Sequence, residues 1–187
     1  MSDSILWRGI YFGGHEAARV YQLNAGWCLE GAAVFSNDYR PCFLSYRVLC
    51  DSNWKTAKGT VAGWLGSDNV NFDISVDARN RWRLNDVEQP AINGCVDLDL
   101  NFSPSTNLLP IRRLNLAIGQ QAEVTAAWLR FPSFKLELLR QVYTRVDEFT
   151  YHYSSAGGKF ECDLTVNDVG FVTQYPELWI AEPESLQ

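Results

Sequence analysis

Two pairs of charged residues bracket one short stretch of this chain. Asp97 and Asp99 precede it, and Arg112 and Arg113 follow it. Read as a strand, residues 96–102 put Val96, Leu98, Leu100 and Phe102 on one face and Asp97, Asp99 and Asn101 on the other. The Cα atoms of the two aspartates would then lie about 6.6–7 Å apart, within the range of the paired carboxylates that hydrolyse glycosidic bonds. Two plainer alternatives stand beside that chemistry: a solvated strand face, or a half-buried acid pair held by the arginines. Adjacent arginines on a short irregular element cannot both point the same way, so one is expected to face inward and one outward. An arginine fork binds carboxylate, phosphate or sugar hydroxyls. Arg112 and Arg113 therefore read either as a clamp on Asp97 or Asp99 or as a grip on a ligand.

A second group of interest is aromatic. The chain has 7 Trp, 8 Tyr and 10 Phe, side chains that fill cores and also line hollows for sugars and amphiphiles. Tyr143, Tyr151 and Tyr153, with His152 and Arg145, form the richest cluster, Tyr151 and Tyr153 sharing one strand face and His152 taking the other. Metal chemistry is not expected, because the two histidines, His15 and His152, are far apart and no ligand spacing is present. His15 follows Gly13-Gly14 and reads as a loop residue. No G-x-S-x-G, phosphate-binding loop or dinucleotide fingerprint occurs, and no cofactor is expected. Cys28, Cys42, Cys50, Cys95 and Cys162 have no C-x-x-C spacing and read as small, mostly buried thiols in a reducing cytoplasm.

The elements that must position these groups are short alternating runs between turn signals, the all-β pattern. Strands are expected at 27–35, 43–51, 54–64, 70–77, 81–84, 95–102, 114–118, 123–131, 134–138, 139–146, 149–153, 159–166 and 171–175. Gly59 and Gly63 suggest bends or close backbone approach. Hairpin signals fall at 66–69, 77–80, 93–94, 157–158 and 167–170. No helical period separates the strands, which favours one large antiparallel sheet, rolled or closed. One short helix fits within 104–114: Ser103 would cap it, Pro104 would open it, and Pro110 would end or kink it. Residues 1–4 and 181–187 read as frayed ends.

The 187 residues suggest a single domain, 1–187, long enough to bury a core without disulfides. A net charge of −6 argues against nucleic acid and against stable docking on anionic lipid. The N-terminus lacks a basic, apolar leader, and no run reaches membrane-spanning length, so a cytoplasmic protein without membrane insertion is expected.

The run "GCVDLDLNFSPSTNLLPIRRL" resembles the glycolipid-binding family of bacterial proteins, a domain of unknown function. The resemblance rests on Gly94, Cys95, Asp97, Asp99, Pro104, Thr106, Asn107, Leu109, Pro110, Ile111, Arg112, Arg113 and Leu114, with further agreement at 44–56, 126–146 and 164–179. Leu108 departs from the small or polar residues expected at its position. The resemblance implies a spiral β-roll, many strands of one sheet wrapped around a single helix, in a homodimer shaped like carriers that hold lipid in a sheet-lined hollow. It brings no catalytic residues. On this reading the Pro-bracketed connection plugs the roll, its arginines face the wall that carries Asp97 and Asp99, and no enzyme is expected. The leading function is the binding of an amphiphile of glycolipid type by Asp97, Asp99, Thr106, Asn107, Arg112, Arg113, Tyr143 and Tyr153. A structural or protein-interaction module is the alternative, and a hydrolase using Asp97 or Asp99 a third.

Overall fold

The computed structural model describes residues 2–183. Fifteen strands alternate along the chain: β1 (Ser2–Gly9), β2 (His15–Leu23), β3 (Gly26–Asn37), β4 (Arg40–Cys50), β5 (Thr56–Leu65), β6 (Asp68–Val76), β7 (Trp82–Leu84), β8 (Val87–Glu88), β9 (Asp97–Leu100), β10 (Gln121–Arg130), β11 (Lys135–Arg145), β12 (Thr150–Ser155), β13 (Phe160–Val166), β14 (Val172–Tyr175) and β15 (Trp179–Ala181). Between β9 and β10 lie a 3₁₀ turn, Ser105–Asn107, and one helix, α1 (Leu108–Leu114).

All strands belong to one sheet, in the order β8-β7-β6-β5-β4-β3-β2-β1-β15-β14-β13-β12-β11-β10-β9. The sheet is not closed, and β9 pairs with β10 in parallel while the other pairs are antiparallel. The chain therefore starts at the middle of the sheet, builds one half outward to β8, and builds the other half from β9 back to the centre. The last turn of the wrap brings β9 against β5 without a ladder between them. Thr56 N–H donates to Val96 O at 3.2 Å, and Leu98 N–H donates to Thr56 Oγ1 at 3.0 Å. Gly59 makes this approach possible, because a Cβ there would stand 2.6 Å from Leu98 Cδ2.

Two apolar clusters fill the roll, and α1 lies between them. Leu108 and Leu109 pack into the larger one with Leu98, Leu100, Trp7 and Trp82. Ile111 packs into the smaller one with Tyr143, Tyr151, Tyr153 and Leu164. The helix thus spends successive faces on opposite walls, which is why a seven-residue element persists where an isolated helix of that length would not.

Several expectations are corrected. Residues 2–4 and 181 are not frayed but belong to the central strands β1 and β15; Met1 and 184–187 lie outside the described residues. His15 opens β2 instead of sitting in a loop. Residues 114–118 are no strand: Leu114 ends α1, and Asn115 turns left-handed at φ 42° with its N–H on Ile111 O. The runs 134–138 and 139–146 are one continuous strand, β11. Asn93-Gly94 makes no hairpin but follows a 3₁₀ turn, Pro90–Ile92. Trp54 stands in a turn before β5 at φ 65°. Pro110 neither ends nor kinks α1. It falls in the first turn, where its missing N–H has no helical partner to lose.

Candidate functional site

The segment between β9 and α1 is shaped by its own hydroxyls and prolines. Ser103 Oγ accepts the Ser105 N–H at 3.1 Å, and Pro104 enters the turn at φ −75°. Thr106 Oγ1 accepts the Leu100 N–H at 3.1 Å, tying the turn back to the strand it leaves. Residues adjacent on a helix point about 100° apart, so Arg112 and Arg113 diverge at the C-terminal end of α1, where the macrodipole favours cations.

Arg113 turns inward. Its Nε and Nη2 donate to the two carboxylate oxygens of Asp97 at 3.0 and 2.5 Å, a bidentate pair with Asp97 only 1% exposed. Burial pushes the Asp97 carboxyl up and the Arg113 guanidinium holds it back. Arg112 turns away from both aspartates: one arginine faces inward and one outward, as adjacency requires, and only Arg113 faces the wall that carries Asp97 and Asp99. Its guanidinium lies 5.3 Å from the Trp54 ring centroid, and Trp54 stacks on Trp27 at 4.4 Å. It borders a separate polar cleft of about 440 Å³ with Asn115, Arg145, Glu148 and Asp168. Because this cation–π contact is exposed, Arg112→Ala is expected to lower unfolding stability by only ~1 kcal/mol, measured by urea denaturation, and to leave the cavity described next unchanged.

Asp99 has no arginine. Its Oδ2 accepts from Gln141 Nε2 at 2.6 Å, and the same amide nitrogen lies 3.0 Å from Tyr153 Oη. Burial raises its carboxyl to about 6, the Gln141 bond opposing and the Asp97 charge adding to the effect. Asp99 lines a cavity of about 290 Å³ at the side of the helical segment. Asn101, Ser103 and Asn107 share its polar wall; Trp128, Leu139, Phe160, Leu178 and Trp179 form its apolar wall, with Tyr153 and Tyr175 between. A larger hollow of about 820 Å³ opens on the outer face of β1–β4, where small residues such as Ala17, Ala32 and Ser45 leave a shallow saddle without convergent buried polar groups.

Of the eight residues singled out in the sequence, Asp99, Asn107 and Tyr153 reach the cavity. Tyr143 supports it from behind, donating to Asn107 Oδ1 at 2.8 Å. Asp97, Arg113 and Thr106 bond within the frame, and Arg112 borders the other cleft.

Sequence reasoning missed the cluster behind Ser103. Glu16 on β2 is fully buried. Its Oε1 accepts from Tyr46 Oη at 2.6 Å and from Ser103 Oγ at 2.5 Å, while Oε2 has no partner. Tyr46 Oη also lies 2.7 Å from Ser105 Oγ. Gly31 admits the Tyr46 ring, since a Cβ there would stand 2.5 Å from its hydroxyl. Burial raises the Glu16 carboxyl to about 8, against the opposing Ser103 and Tyr46 bonds. The available signal was Glu16 in register with Ala18 and Val20 on the inward face of β2.

Among the described residues no group of three or more His, Cys, Asp or Glu is placed to hold a metal, and no helix is long and apolar enough to cross a membrane. The five cysteines are free, four buried and Cys162 half-buried.

The family model described as "Putative glycolipid-binding" matches residues 4–181. The crystal structure of a DUF1089 family protein from Pseudomonas aeruginosa is 32% identical, with a TM-score of 0.77, over 87% of this chain and 89% of that one. A beta-barrel-like protein of domain of unknown function DUF1849 from Brucella abortus shares the fold alone, with a TM-score of 0.54 at 7% identity over 96% of this chain and 93% of that one. A comparison with the curated proteins finds no match.

Proposed function

Because this chain belongs to the glycolipid-binding family, whose model spans residues 4–181, we propose that it is a non-catalytic binder of an amphiphile of glycolipid type. One observation carries the reading: the cavity of about 290 Å³ joins a polar wall at Asp99, Asn101 and Asn107 to an apolar wall at Trp128, Leu139, Leu178 and Trp179. That volume is at the small end of ligand sites, which run to ~300–1,000 Å³. It suits a headgroup and the first part of a chain. A hydrolase is less well supported, because two carboxylates must flank the reacting bond, and Asp97 is held by Arg113 and does not line the cavity.

The interaction-module reading has its own support in the inward bonds of Asp97, Arg113, Thr106 and Tyr143, which fix the frame. The two readings divide the cluster between them: those four residues hold the shape, and Asp99, Asn107 and Tyr153 face the ligand. We further read the protein as a cytoplasmic homodimer that binds neither nucleic acid nor a membrane stably. The net charge of −6 supports both of these exclusions, and the short edge strand β8 offers backbone groups that a second copy would cover.

Native mass spectrometry of protein purified from its own host, followed by organic extraction, tests the binder reading. A co-purifying amphiphile at defined stoichiometry is expected. Protein that is bare as purified, and bare again after incubation with a bacterial lipid extract, would overturn it.

A further inference from the structure

We propose that the cavity beside the helical segment selects a headgroup bearing a positively charged nitrogen, the organic ammonium of a choline-like group or of an aminosugar. The inference rests on reading this cavity as the binding site, and it names the class of headgroup taken there.

The first observation is a carboxylate without a cation. Asp99 lines the cavity and receives only the Gln141 amide. Among the described residues no Lys, Arg or His lines the same space. Arg113, the arginine paired with the neighbouring Asp97, is already spent there. An anionic headgroup would meet a like charge and no counter-charge.

The second observation is aromatic. Tyr153, Phe160 and Tyr175 all line the cavity. Their ring centroids stand 6.1, 6.3 and 6.0 Å apart, with planes inclined at 64°, 75° and 57°. At these separations the rings pack edge-to-face or tilted on one another. An ammonium seated in the cavity beside them would come within the ~6 Å at which an aromatic face attracts a cation.

The third observation concerns donors. On the polar wall, the donors of Ser103 and Asn107 are committed. Ser103 donates to Glu16, and the Asn107 amide donates to Pro104 O while its Oδ1 is taken by Tyr143. The Asp99 carboxylate and the aromatic rings remain, which suits an ammonium. The raised Asp99 carboxyl, at about 6, fits a half-buried acid lacking its counter-ion.

Isothermal titration at pH 7.5 with choline, glucosamine, glucose, octyl glucoside and octyltrimethylammonium tests the proposal. The ammonium compounds are expected to bind at least tenfold more tightly than their neutral counterparts, and Asp99→Asn is expected to abolish that preference. Choline above glucosamine would assign a quaternary headgroup, and the reverse an aminosugar. Phe160→Leu, at a half-open ring on the cavity rim, serves if Asp99→Asn fails to fold, and should weaken choline severalfold. Equal binding of octyl glucoside and octyltrimethylammonium, or an ammonium preference that survives both variants, overturns the cation proposal and leaves the amphiphile reading standing. No binding by any probe overturns both.

Discussion

Raising the pH from 6 to 8.5 is expected to weaken the fold steadily, and Glu16→Gln to remove most of that loss. Glu16 is fully buried, and its carboxyl is raised from an ordinary 4.5 to about 8. Between those values the folded protein holds a proton that the unfolded chain releases. Stability therefore falls as pH rises through this window and levels off above about 8. The separation of 4.5 and about 8 corresponds to roughly 5 kcal/mol across the whole window, of which pH 6 to 8.5 samples over half. Asp99 acts with the same sign, but only between 3.8 and about 6, so it is nearly spent where the experiment begins. The buried thiols Cys42 and Cys50, raised to about 11 and about 12, would add a similar slope only as unfolded thiols ionise near the top of the range. Comparison with the variant cancels them. Glutamine can still accept from Tyr46 and Ser103, but its amide nitrogen would sit near the unpartnered Oε2 position, at a cost of about 1–3 kcal/mol. The variant should thus be the less stable protein at pH 6 and the more stable one at pH 8.5. Urea midpoints at the two pH values read this crossing directly; parallel curves would show that Glu16 is ionised in the fold.

The physics of the fold was legible where burial follows the strand period. Residues 70–77 alternate strictly and form β6; 159–166 alternate and form β13. The period failed where a buried residue was polar or an exposed one apolar. On β2 the inward Glu16 hid the pattern, and on β1 the exposed Leu6 next to buried Ile5 and Trp7 did the same. Residues 114–118 have strand periodicity and yet form none, because the helix end and the left-handed Asn115 use them to turn the chain. At the site, composition identified Asp97, Asp99 and the two arginines as one group, but not their pairing. Which arginine meets which aspartate depends on the rotation of α1 relative to β9, and that rotation is set by Leu108, Leu109 and Ile111 dividing between two cores. No spacing along the chain encodes it.

Arg113→Met is expected to destabilise the protein by roughly 3–5 kcal/mol at pH 7, because it leaves Asp97 charged, buried and alone. The loss should shrink as the pH falls, since protonating Asp97 relieves the penalty; burial already pushes its carboxyl upward even with Arg113 present. Asp97→Leu combined with Arg113→Met should recover much of the stability, as replacing a whole buried pair by apolar groups is far less costly than removing one member. Urea denaturation of the two single variants and the double variant closes the cycle. Additive losses would mean that the bidentate contact at 3.0 and 2.5 Å contributes nothing beyond the separate side chains. The same reasoning separates the two aspartates that share one strand face. Asp97 has its cation within the chain, so no ligand can profit from its charge. Asp99 has only the Gln141 amide and opens on the cavity. Asp99→Asn should therefore cost far less in stability than Arg113→Met, and the charge it removes is the one that an incoming headgroup would otherwise meet.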